Sequence, residues 1–170
     1  MSATVLLVDD EPRVTAALRR CLRREGLNIL EAHSGEQALE LLASHEIDVL
    51  VSDERMPGMS GSELVCRAAA SHPGVIRIIL SGQATLDAAV KAINEGKIFR
   101  FLLKPCNETD LLFSIRQGLE YRELLRENTE LRRAVEEKTE LLRRLEADNP
   151  GISALEEDEQ GAVVIDARDV

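Results

Sequence analysis

The sequence predicts an α/β fold, a doubly wound parallel sheet of five strands alternating with five helices. Three observations carry this. Short apolar runs, Thr4–Val8, Val49–Ser52, Ile76–Leu80 and Phe99–Leu103, lack polar alternation, as expected of strands buried on both faces. Amphipathic stretches punctuated by Gly and Pro separate them. Each run also ends on residues that carry chemistry: Asp9-Asp10, Asp53, Ser81-Gly82 and Lys104-Pro105. In alternating β/α chains the carboxyl ends of the strands share one sheet edge, where sites are built.

The elements follow in order. Thr4–Val8 is the first strand. Pro12 opens a helix with Val14, Ala17, Leu18, Cys21 and Leu22 at helical spacing, and Gly26 stops it. Asn28–Ala32 is the second strand. Ser34 is the N-cap, with Gln37 at the capping-box position, of a helix running through Ser44. The third strand is Ile47–Ser52, followed by the turn-rich loop Met56-Pro57-Gly58-Met59-Ser60-Gly61 and a helix ending before His72-Pro73-Gly74. Val75–Leu80 is the fourth strand, Thr85–Glu95 the fourth helix and Ile98–Leu103 the fifth strand. The pattern alone does not fix strand order.

From Asn107 a last helix meets no breaker until Asn149-Pro150-Gly151. Forty residues at 1.5 Å each make a rod of about 60 Å, roughly double what a small domain covers. Its early part, with Leu111, Leu112, Ile115 and Leu119, is predicted to pack on the sheet. Beyond it Leu124, Asn128, Leu131, Val135, Lys138, Leu142 and Leu145 alternate steps of four and three, a heptad seam about three heptads long. With Asn128 and Val135 at a positions, Glu127 falls at g and Arg132 at the next e, which suits a parallel homodimer. The expected plan is a domain over 1–120, a coiled-coil extension over 121–147 and an acidic tail over 148–170.

Composition narrows the function classes. With a hydrophobic fraction of 44% and only 2% aromatics, the core must rest on Leu, Ile, Val and Ala. A net charge of −10 argues against direct binding of nucleic acid or an anionic membrane. Cys21, Cys66 and Cys106 lack metal-type spacing; Cys21 and Cys66 are placed on the apolar stripes of helices, as free thiols. The N-terminus lacks a secretory pattern and no run reaches the ~18 apolar residues of a membrane span, so a cytoplasmic protein is expected. His33, His45 and His72 share no face and are expected at the surface. Arg13, Arg19, Arg20, Arg23 and Arg24 make the first helix basic, a solvated face before it is a docking one.

The strand-end residues suit phosphoryl transfer. A divalent Mg²⁺ needs carboxylates, supplied by Asp10 and Asp53 with Asp9 through a water. Lys104 is placed to hold charge developing on phosphoryl oxygens, and Ser81 to offer a small hydroxyl to the phosphate.

In order along the chain, VLLVDDEP, VSDERMPGMSG, IILSGQA and FRFLLKP resemble the markers of bacterial response-regulator receiver domains, over about residues 3–120. The resemblance implies a flavodoxin-like (βα)5 sheet of order 2-1-3-4-5 and a cis Lys104–Pro105 bond. It implies phosphotransfer from a sensor histidine kinase to Asp53, with Mg²⁺ (or Mn²⁺) held partly by the backbone carbonyl of Arg55. It implies that Phe101 turns inward as Ser81 moves onto the phosphoryl group, and that a downstream protein effector reads the change. Apart from its own phosphorylation and dephosphorylation such a protein is not an enzyme. Arg55 and Gln83 stand two residues after Asp53 and Ser81, where they are expected to modulate water attack. Ser81 replaces the family's commoner Thr, and Cys106 stands where many relatives carry a bulky aromatic. No helix-turn-helix or basic region follows in this sequence, so action through another protein is expected. A coiled-coil scaffold with a structural, unphosphorylated receiver is the competing reading. An acid-nucleophile hydrolase is disfavoured, because its second Asp would stand where Arg55 does.

Overall fold

The computed structural model describes residues 2–82 and 98–148. The expected fourth helix, Thr85–Glu95, the residue Gln83 and the tail beyond Asp148 lie outside them. The chain divides into two units, Met1–Leu124 and Leu125–Val170.

In the first unit, β1 (Thr4–Val8), β2 (Asn28–Ala32), β3 (Val49–Asp53), β4 (Ile76–Ser81) and β5 (Arg100–Leu103) form one parallel sheet of order β2-β1-β3-β4-β5. This is the order the resemblance implies. The described helices are α1 (Pro12–Leu22), α2 (Gly35–Ser44), α3 (Gly61–Ser71) and the final α4 (Glu108–Asp148), with a 3-10 turn at Arg23–Glu25 after α1. Gly26, at φ 71°, closes that turn in the left-handed region, where a side chain would be strained.

Strand residues alternate between two cores. Leu6, Val8, Leu50 and Ile79 face α2 and α3, meeting Ala38, Leu42, Leu64 and Ala68. Val5, Leu7, Val49, Val51, Ile78 and Leu80 face the other way, onto Leu22 of α1 and Leu111 and Ile115 of α4. Burial on both sides explains why the strands read as unbroken apolar runs.

Local chemistry sets the helix starts. The Ser34 hydroxyl accepts from Gln37 N at 3.1 Å, and Gln37 Oε1 accepts from His33 N at 2.7 Å, one residue ahead of the cap. At α3 Ser60 accepts from Glu63 N. Two glycines mark close approaches. A Cβ on Gly61 would sit 2.2 Å from the Asp53 carbonyl oxygen, and one on Gly118 would sit 2.6 Å from Ile76 Cγ2. Arg122 pairs with Asp48, whose other carboxylate oxygen accepts from Thr4 N at 2.7 Å, tying α4 to the start of the sheet.

One placement differs from expectation. Cys66 is exposed, because the apolar stripe of α3 runs through Leu64, Val65 and Ala68 and turns Cys66 to solvent. Cys21 is half-buried as expected. β3, β4 and β5 begin two, one and two residues later than the predicted strands Ile47–Ser52, Val75–Leu80 and Ile98–Leu103. Among the described residues no helix is long and apolar enough to cross a membrane.

In the second unit α4 continues, and every residue from Leu125 to Asp148 is exposed.

Candidate phosphoryl-transfer site

The strand ends are stitched by backbone bonds at one sheet edge. Asp9 N donates to Ala32 O, Glu54 N to Leu80 O and Lys104 N to Ser81 O, at 3.2, 2.9 and 2.8 Å. The side chains of Asp9, Asp53, Ser81 and Lys104 therefore leave the sheet from neighbouring positions. The Lys104–Pro105 bond is cis, as the resemblance implies.

Lys104 is the centre of the arrangement. Its Nζ lies 2.6 Å from Asp53 Oδ1 and 2.8 Å from Asp9 Oδ2. Side-chain exposure is 5% for Asp9, 10% for Asp53 and 30% for Lys104, so the pairs are largely withdrawn from water. Burial disfavours the ammonium, but the bonds to Asp53 and then Asp9 outweigh it and hold Lys104 above the ordinary lysine range.

Each acid is also fixed by a backbone donor two residues on. Asp53 Oδ2 accepts from Arg55 N at 2.7 Å, and Asp9 Oδ1 from Glu11 N at 2.9 Å. These are Asx turns, a local preference of aspartate. An aspartate at a strand end followed by a turn is their trace in the sequence. His33 Nδ1 lies 3.2 Å from the Asp9 carbonyl, a neighbour the sequence did not point to.

The other expected residues divide. Ser81 is 1% exposed at the end of β4. The Arg55 guanidinium reaches to 3.7 Å from where a Cβ on Gly82 would sit, beside Ser81. Phe101 is half-buried against the α2/α3 core and pairs across strands with Ile79. Asp10 is exposed, unlike Asp9. The close approach of Gly61 to the Asp53 backbone also escaped the sequence reading. A glycine in the first turn of a helix, where better helix formers abound, was its trace.

Residues 5–116 match the family described as response regulator receiver domain. The chain belongs to that family. The receiver is 36% identical over 122 residues to the hydrogenase transcriptional regulatory protein HoxA of Cupriavidus necator, covering 72% of this chain and 25% of that one. It thus matches about a quarter of that relative's length. Among solved structures it resembles the signal receiver domain of an HD domain-containing protein from Pseudomonas fluorescens Pf-5, with TM-score 0.68, 36% identity and coverage of 72% of this chain and 98% of that one. It also resembles a structure described as adenylate cyclase from Rhodopirellula baltica, with TM-score 0.74, 33% identity and coverage of 78% and 98%.

The receiver's donors suit a hard cation. Among the described residues no three His, Cys, Asp or Glu side chains form a metal-holding group. Mg²⁺, however, keeps several waters and needs only one or two carboxylates. Buried Asp53 and exposed Asp10, with backbone carbonyls beside them, fit such a partly hydrated ion better than an all-protein cage.

Proposed function

We propose that this receiver, acting in the cytoplasm, accepts a phosphoryl group on Asp53 from a sensor histidine kinase and signals the change to a downstream protein effector. The observation that carries the reading is the single ammonium of Lys104 held between Asp53 and Asp9 at the sheet edge. An isolated structural ion pair needs one acid; two nearly buried acids around one cation leave a negative charge in excess, which suits a divalent cation that can in turn receive a phosphoryl group.

In the transfer an Asp53 oxygen attacks phosphorus, a P–O bond forms, and the P–N bond to the kinase histidine breaks with its electron pair going to the imidazole. Both Asp53 oxygens are engaged, Oδ1 by Lys104 and Oδ2 by Arg55 N, so the attacking oxygen must give up a partner. Lys104 can follow the charge, exchanging the carboxylate for a phosphoryl oxygen without leaving Asp9. Mg²⁺, or Mn²⁺, held by Asp10, Asp53 and the Arg55 carbonyl with Asp9 through a water, would neutralise charge between donor and acceptor. Ser81 then donates its hydroxyl to the phosphoryl group and Phe101 turns inward, which reshapes β5. Arg55, with Gln83, screens the phosphoryl group from water and sets its lifetime.

The test is incubation of the whole chain with acetyl phosphate and Mg²⁺, followed by intact mass. One added phosphoryl group is expected, lost in Asp53→Asn and on chelation of the metal. An unmodified wild-type chain would instead favour a structural receiver on a helical scaffold.

A further inference from the structure

The second unit presents an apolar stripe that the chain itself leaves uncovered. Leu131, Val135, Leu142 and Leu145 are 67, 62, 63 and 41% exposed along one side of α4, at a and d spacing. Such a stripe, on a helix whose outer face is mostly charged, marks an interaction surface.

The charges show how that surface is oriented. The ion pairs Arg126–Glu130, Arg133–Glu137 and Glu140–Arg144 all join f and c positions, on the side away from the stripe. Flanking the stripe, Glu127 at g and Arg132 at e have no ion-pair partner among the described residues, although Glu136 lies one turn beyond Arg132. A g residue and the e residue five further on meet across a parallel two-stranded coil.

We propose that this stripe pairs in parallel and in register with a second copy of the chain, Glu127 of each copy meeting Arg132 of the other, and that Lys138 keeps the pairing weak. Antiparallel pairing centred on Arg133 would oppose Arg132 to Arg132 and set Glu127 beside Leu141. In the parallel register Asn128 faces Asn128, a polar layer that fixes alignment, while Lys138 faces Lys138 at d and opposes association. The result is a reversible dimer, positioned for adjustment rather than permanent assembly. It does not depend on Asp53 phosphorylation.

Sedimentation of the unphosphorylated whole chain across a concentration series tests this, with circular dichroism confirming that each variant is folded. A monomer–dimer equilibrium is expected. Leu131→Glu should abolish it, and Lys138→Leu should tighten it by at least about tenfold. Glu127→Arg should weaken the dimer by about tenfold, and adding Arg132→Glu should restore it to near wild type. A double variant no tighter than its parts would overturn the parallel pairing. A wild-type chain monomeric at every concentration, or a dimer indifferent to Leu131→Glu, would overturn the seam itself. Because phosphorylation is read by mass and pairing by sedimentation, failure of one leaves the other standing.

Discussion

Lys104→Met keeps most of the side-chain stem and removes the ammonium from between Asp53 and Asp9. Two carboxylates only 5 and 10% exposed would then face each other without a counter-charge. Breaking a fully buried pair costs about 3–5 kcal/mol. Lys104 is 30% exposed, so water recovers part of that, leaving a loss of about 2–3 kcal/mol at neutral pH. Urea unfolding reads this as a midpoint lower by about 1–2 M. In the wild type the sign at alkaline pH is also fixed. The Lys104 value is raised, so its contribution is complete below the ordinary lysine value of about 10.4 and is lost as pH rises through the higher folded value. A Lys104→Met midpoint equal to wild type at pH 7 would refute the view that this ammonium balances both acids.

Gly61→Ala should cost about 3 kcal/mol and slow phosphorylation by acetyl phosphate, because its Cβ falls 2.2 Å from the Asp53 carbonyl and backbone must shift; unchanged urea unfolding would contradict this. Gly118→Ala should cost about 1–3 kcal/mol against Ile76 Cγ2, and combining it with Ile76→Ala should cost less than the two changes summed. Burial pushes Glu31 up, but bonds from Thr15 and then Arg19 outweigh it and leave its carboxyl below the ordinary range. Its contribution is therefore present above the ordinary value of about 4.5 and is lost as pH falls through the lower folded value, so Arg19→Ala should cost under about 1 kcal/mol at pH 7 and progressively less as the solution is acidified.

Most of the sheet was legible because both its faces are buried. Runs such as Thr4–Val8 admit no alternation, and their downstream polar residues stand at the edge where Lys104 meets Asp9 and Asp53. Helix starts and stops were legible where side-chain chemistry is local, as at Ser34, Ser60 and Gly26. Contacts that join distant segments were not. Nothing around Asp48 announces that it holds Thr4 N and Arg122 together, and the closeness of Gly61 to Asp53 follows from how α3 enters rather than from any pattern. Cys66 was misplaced for a related reason. Three apolar neighbours define the stripe of α3, and a small neutral residue beside them fits either face.

Lys104 reaches Asp9 across 95 residues of sequence, from the end of β5. That strand is four residues long, lies at the sheet edge and, among the described residues, pairs with β4 alone, from Ile78↔Arg100 to Ser81↔Leu103. None of its residues is fully buried, whereas all five of β3 are. The acids therefore end strands inside the sheet and the cation ends an edge strand. Ser81 stands at the joint, its carbonyl accepting the Lys104 N–H. In the proposed switch a shift of Ser81 would pass through this bond into β5, where Phe101 pairs with Ile79.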